Sequence, residues 1–253
     1  MRISKPHETL EPTVEGVRVI FKERPSDSPF VERVWSSYSQ GCGVFTSIAA
    51  SHWMMVVTRL QGKITLDIQG PETKATNVYC PADGEWIGIL FKFGTFMPLF
   101  PTSTLMDGGV TLPLATRQSF WLHGSGWQFP NYENAEIFVD RLVREGLLVT
   151  EPVIDSLLRG QPNALSVRSL QRRFLSATGM SYTDARLIER ARNATILLQQ
   201  GRSIHDVVYE VGYFDQSHLI RELKRFIGWT PAQIKDRNQS GQLSFLYNTD
   251  LFE

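Results

Sequence analysis

The sequence predicts an α+β chain. An N-terminal β-rich half, built as a small barrel or sandwich, precedes an all-α half in which a long helix joins two helix-turn-helix units. Three observations predict it: apolar residues alternate with period two up to about residue 122, they recur at helical spacing after about residue 134, and the turn-rich HGSGWQFPNYEN separates the two patterns. At 253 residues with 42% hydrophobic content the chain can bury a sizeable core, and the change of period favours two domains over one. The expected division is 1–130, 131–240 and a C-terminal tail, 241–253.

The strands come first. VRVIF and FVERVWSSYS are strand candidates. WMMVVTRL turns through Gln61 and Gly62 into GKITLDIQG, where Ile64, Leu66 and Ile68 alternate with Thr65, Asp67 and Gln69, the mark of a half-buried hairpin strand. WIGILFKF is a further apolar run between turn residues.

The helices follow. In NAEIFVDRLVREGLL, Phe138, Leu142 and Val143 share a face, with Asn134 as the expected N-cap and Gly146 as the stop. In TEPVIDSLLRG, Thr150 is the expected cap and Pro152 suits the first turn. SVRSLQRRFLSATG is capped by Ser166 and turns Val167, Leu170 and Phe174 inward. A longer helix spans roughly 183–200, with Leu187, Ala191, Ala194 and Leu198 in one stripe and Gly201 after it. Ser203, with Asp206 three residues on, opens a short helix that Gly212 ends.

The overall formal charge is zero, from 26 basic and 26 acidic residues, but it is unevenly spread. Residues 151–240 hold 13 Lys and Arg against 9 Asp and Glu, a net of +4, and the remainder is −4. Only the helical half suits a polyanion. Cys42 and Cys80 form no CxxC pair, which excludes a zinc module or a disulfide scaffold and fits a reducing, cytoplasmic setting. No apolar stretch approaches the roughly 18 residues of a membrane helix, so no membrane partner is expected.

On a wheel of residues 215–227, Leu219, Leu223, Phe226 and Ile227 form the anchoring face and Asp215 caps the start. Ser217, His218, Arg221, Lys224 and Arg225 lie opposite, with Gln216 and Ile220 at the edge. A polar face on one helix is ordinarily just solvated. Here a second helix repeats the mixture with Arg168, Gln171 and Arg172, and a spacer of roughly 17 residues, about 25 Å, separates the two. That arrangement suits two successive major grooves, about 34 Å apart.

LSVRSLQRRFLSATG and IERARNATILLQQGRSIHDVVYEVGYFDQSHLIRELKRFIGWTP resemble, over about 70 residues, the DNA-binding domain of AraC/XylS-type bacterial transcriptional regulators. The GYFDQSHL and FIGWTP portions are the most specific. The resemblance implies that Arg168, Gln171 and Arg172 of the first reader, and Gln216, Ser217, His218 and Arg221 of the second, are the positions that contact DNA. Arg pairs bidentately with guanine and Gln with adenine, whereas Lys224 and Arg225 suit phosphates. Two positions depart from the family pattern. Leu223 stands where an aromatic is common, and VIDSLLRGQPNALS is longer and more proline-rich than the usual turn before the first reader.

The resemblance implies an N-terminal domain that binds a small-molecule effector, mediates dimerisation, or does both. Double-stranded DNA is thus the expected partner, with an effector, RNA polymerase and a second copy of the chain as further candidates. Trp35, Trp53, Trp86, Trp121 and Trp127 read as core rather than pocket lining, and Cys42 as a small buried hydrophobe. His52 and His123 lack the HxH and carboxylate spacing of a cupin metal site. HGSGW is not a GxSxG elbow, and no phosphate loop occurs, so neither catalysis nor a cofactor is expected. The rivals to a sequence-specific regulator are a cupin-type metal enzyme with a helical tail and a ligand-independent architectural DNA binder.

Overall fold

The computed structural model describes residues 3–4, 18–158 and 165–236. The expected C-terminal tail and the turn at 159–164 lie outside these residues.

Strands β1 (Ile3–Ser4), β2 (Arg18–Pro25), β3 (Val31–Gln40), β4 (Gly43–Ser47), β5 (Met54–Leu60), β6 (Lys63–Gln69), β7 (Thr76–Cys80), β8 (Glu85–Phe91) and β9 (Thr95–Phe96) come first. A one-turn helix α1 (Thr102–Leu105) then precedes β10 (Gly109–Thr111), β11 (Leu114–Thr116), β12 (Ser119–Leu122) and β13 (Ser125–Gln128). Helix α2 (Ala135–Arg144) and β14 (Val149–Thr150) lead into α3 (Pro152–Leu158), α4 (Val167–Thr178), α5 (Tyr182–Gln199), α6 (Ile204–Val211), α7 (Gln216–Phe226) and α8 (Pro231–Lys235).

The α+β class and the order of its halves are as expected. The main sheet is antiparallel with seven strands in the order β1-β10-β6-β5-β8-β3-β2, and it is open, not a closed barrel. The Gln61–Gly62 hairpin joins β5 and β6, pairing Leu60 with Lys63 and Val57 with Leu66. Smaller sheets are β11-β12-β13, β9-β14 and β4-β7.

Two apolar cores organise the chain. The first gathers Val34, Met55, Leu66, Ile68, Ile89, Phe91, Phe120 and Trp127 from the strands, together with Phe138, Val139 and Leu142 of α2. Thus the sequence changes to helical period at α2, while the packing changes only after it. Arg24 of β2 ties α2 down by pairing with Glu136, Nη2 to Oε2 at 2.7 Å. The second core holds Phe174, Ile188, Ala191, Leu198, Val207, Leu219, Leu223, Phe226 and Trp229, and it also includes Ile48, Ala49 and Phe93 from the β half. The helical half therefore does not close its core alone. At about 1.5–3 kcal/mol for each fully buried large apolar side chain, the shared residues contribute substantially to stability.

Several sequence expectations are corrected. Val167, expected inside, is 70% exposed, because the first turn of α4 projects beyond the core that Phe174 enters. Thr150 does not cap α3; it sits in β14, its hydroxyl meets Thr95 at 3.0 Å, and Glu151 accepts from Val153 N instead. Asn134 occupies the N-cap position of α2 without a cap bond, since its side chain accepts from Asn131 N. Cys42 is exposed in the turn between β3 and β4, whereas Cys80 is buried. Trp35, Trp53 and Trp127 are core residues, but Trp121 is 47% exposed.

Candidate nucleic-acid interface

Helices α6 and α7 are joined by a tight turn at Gly212, whose φ of 75° is left-handed. The second helix starts where Asp215 accepts from His218 N at 2.7 Å, satisfying one of the free amides of the first turn. Leu219, Leu223 and Phe226 are fully buried. Gln216, Ser217, Arg221, Lys224 and Arg225 are exposed on the other side. Of these, Gln216, Ser217, Arg221 and Lys224 have no hydrogen-bond or ion-pair partner among the described residues, and Arg225 lies over the Phe226 ring at 4.7 Å.

His218 is placed differently. It is half-buried, stands edge-on to Tyr213 at 5.3 Å, and its Nε2 meets Glu222 Oε1 at 3.1 Å. Glu222 is only 8% exposed and also receives Arg190 of α5, through Nη2 at 2.6 Å and Nε at 3.2 Å. The Arg190 guanidinium lies over the Tyr213 ring at 4.5 Å. Burial holds the Tyr213 phenol well above its usual range. The four side chains join α7, the turn before it and α5 into one unit, and they hold His218 on the helix side of the surface.

Glu222, Arg190 and Tyr213 were not singled out from the sequence. A signal existed: Glu222 falls on the apolar side of the α7 wheel, four residues after His218, and a carboxylate there requires a partner.

The first reader, α4, is capped by Ser166, which accepts from Ser169 N at 3.3 Å. Arg168, Gln171 and Arg172 are exposed and unpartnered among the described residues. Arg173 is tethered to Glu151 at 3.3 Å. Between the readers runs α5, 18 residues and so about 27 Å long. It begins at Ser181, whose hydroxyl accepts from Asp184 N at 3.0 Å.

Both readers end against the β half. At α4, Thr102 Oγ1 donates to Ser176 O at 3.1 Å, and Phe93 meets Phe174 at 5.5 Å between ring centres. At α7, Ala75 N donates to Arg225 O at 2.9 Å and Ala49 N donates to Phe226 O at 2.7 Å. These carbonyls belong to the last turn, where the helix offers no amide of its own. Trp229 Nε1 adds a buried bond to Thr46 Oγ1 at 3.1 Å. Each reader is followed by a left-handed glycine at the contact. A Cβ on Gly179 (φ 82°) would stand 3.3 Å from Thr102 Cβ, and one on Gly228 (φ 83°) 3.0 Å from Thr46 Cγ2 and 3.2 Å from Ala75 Cβ.

A buried polar cluster lies in the same seam. Ser51 Oγ donates to Glu189 Oε1 at 2.9 Å, and Arg192 Nη1 donates to Ala49 O at 3.0 Å. His52 packs edge-on against Phe93 at 5.6 Å. Burial, and then the nearby Arg192 guanidinium, push its imidazole down to about 3.

In the second unit two short helices, each capped on entry, flank the left-handed turn at Gly212, and across α5 the first reader α4 also begins at a side-chain cap. The family model for a helix-turn-helix domain matches residues 163–237. Those residues are an AraC-type helix-turn-helix domain. Over 88 residues the chain is 35% identical to the HTH-type transcriptional regulator RipA of Corynebacterium glutamicum, a match covering 34% of this chain and 27% of that protein. The chain thus spans about a quarter of that relative's length. No solved structure matches. The AraC-type domain includes both readers and α5, while the β half, outside the matched residues, supplies the groups on which each reader ends.

Among the described residues no helix is long and apolar enough to cross a membrane, and no three His, Cys, Asp or Glu side chains converge as a metal site would require.

Proposed function

We propose that this protein is a cytoplasmic, sequence-specific DNA-binding transcriptional regulator whose two readers enter successive major grooves. The β half modulates them through an effector or a dimer contact. One observation carries the reading. Two capped helices joined by a third present Arg168, Gln171 and Arg172, and then Gln216, Ser217 and Arg221, as exposed side chains whose hydrogen-bonding groups have no partner among the described residues. Arg and Gln suit purine edges, and Lys224 and Arg225 suit phosphates. His218, already bonded to Glu222, acts chiefly by shaping the surface. The seam between the halves supports modulation, because a shift at 46–51 or 71–75 moves groups bonded directly to α7.

The test is duplex binding by the full-length protein, using the sequence selected from a random pool. Arg221→Ala should weaken binding to that sequence by roughly 1–3 kcal/mol and relax preference at one base pair. Equal losses on all sequences would make Arg221 a phosphate contact. Unchanged binding on Arg172→Ala would count against the two-groove mode.

A further inference from the structure

Lys74 lies in the β half, outside the matched domain, yet the fold brings it to the end of the second reader. The next residue, Ala75, donates its amide to Arg225 O at 2.9 Å, so the chain at Lys74 runs directly beside the last turn of α7. The loop is fixed from its other side as well. Thr73 donates through N and Oγ1 to the two carboxylate oxygens of Asp107, at 2.6 and 2.7 Å, and Asp107 N donates to Pro71 O at 2.9 Å. Glu72, the one acid of this loop, is largely buried and accepts from the Ser47 hydroxyl at 2.8 Å, while Asp107 of the neighbouring turn accepts from Thr73. Lys74 itself is exposed and has no partner among the described residues.

The same end of α7 carries Lys224 and Arg225, both exposed. Cations near a helix C-terminus offset its negative end. Here, however, the Arg225 and Phe226 carbonyls already accept amides from the β half, which leaves less unmet negative charge for three cations. Like charges at one helix end with no ion-pair partner among the described residues suit a polyanion.

We propose that Lys74 is a phosphate contact contributed by the β half, continuing the Lys224 and Arg225 edge of the second reader. It rests on the DNA-binding reading above. The β half then adds to the DNA surface as well as regulating it, and its docking on α7 determines whether that contact is available.

The experiment measures binding of full-length Lys74→Gln to the selected duplex and to a random duplex over a series of salt concentrations, with thermal unfolding as a check on the fold. The expected result is a several-fold loss, by the same factor on both duplexes, and a slope of log K against log salt shallower by about 0.9. Lys74→Arg should restore the slope. Unchanged affinity and slope would overturn the proposal and leave Lys74 as a charge that balances the helix end. A loss confined to the selected sequence would also overturn it. Arg221→Ala, measured alongside, separates the two ideas. If it loses specific binding while Lys74→Gln binds as wild type, only the Lys74 contact falls; if the unsubstituted protein binds no duplex, both fall.

Discussion

Helices α4 and α7 each start at a side-chain cap and stop at a left-handed glycine under the β half, but they are held very differently in between. Helix α7 buries Leu219, Leu223 and Phe226 along its length, and Glu222 fastens it to α5 through Arg190. Helix α4 buries Phe174, Ala177 and Thr178 at its C-terminal end, while Val167 and Leu175 are 70% and 51% exposed. Its ion pair, Arg173 to Glu151, is more open, with side chains 48% and 19% exposed. The comparison teaches that a repeated motif need not give two equally rigid readers. The exposed side chains of α7 stand on a fixed platform, whereas Arg168, Gln171 and Arg172 lie on the less buried part of α4.

The sharpest test removes the cation from each ion pair. Arg190→Ala leaves the Glu222 carboxylate buried without its guanidinium and should destabilise the protein by about 3 kcal/mol in urea unfolding. Arg173→Ala should cost less, about 1 kcal/mol, because the arginine itself is half-exposed. Equal losses would break the distinction between the readers.

Glycine substitutions come next. Gly201→Ala bears only the left-handed backbone strain, since nothing lies within 4 Å of its added Cβ, and should cost about 1 kcal/mol. Gly179→Ala adds a tight contact with Met106 and Thr102. Gly228→Ala adds the closest one, to Thr46 and Ala75, and should cost about 2–3 kcal/mol. Chemical unfolding ranks the three; a loss at Gly228 no larger than at Gly201 would mean that the β half does not press on α7.

Acid should act on the seat of the first reader. His52 is held neutral beneath Phe93, which packs on Phe174. Between pH 6.5, its ordinary value, and about 3, its folded value, the unfolded chain binds a proton that the folded chain does not. Stability therefore falls as pH drops through this window, by about 2 kcal/mol between pH 6.5 and 5 from this group. Glu72, raised by burial, has the opposite sign: its contribution is fully present below about 4.5 and is lost as pH rises through its higher folded value. Measuring unfolding of His52→Gln at both pH values isolates the histidine, and an undiminished acid slope would remove His52 from the account.

The smallest effects concern the caps. Ser166→Ala and Asp215→Ala should each cost about 1 kcal/mol, in equal measure at both readers. A markedly larger loss at Asp215 would show that the second reader's rigidity begins at its first turn.

Much of this organisation was legible in the sequence, because local rules govern it. The β5–β6 hairpin follows from alternation around Gln61 and Gly62, and Ser166, Ser203 and Asp215 cap the helices expected of them. The exposed faces of α4 and α7 follow from helical spacing. The misreadings occurred where tertiary packing overrides the local pattern. Val167 has the right spacing for a buried face, but it is 70% exposed, with no described element over the first turn of α4. Thr150 is a good cap by type, yet pairing with β9 takes it into a strand. Nothing local marks Ala49 or Ala75 as caps of a helix 177 and 150 residues further on, since the donors are backbone amides that any residue carries.

The placement of Ile48, Ala49 and Phe93 inside the helical core has a consequence for dissecting the molecule. A fragment cut at the start of the matched domain would leave an apolar seam open to water, and two carbonyls of α7 without their amides. Its weak DNA binding would then report damage to the fragment rather than relief from a regulatory half. The same seam should make the intact chain melt in a single transition, as one cooperative body, even though its sequence reads as two.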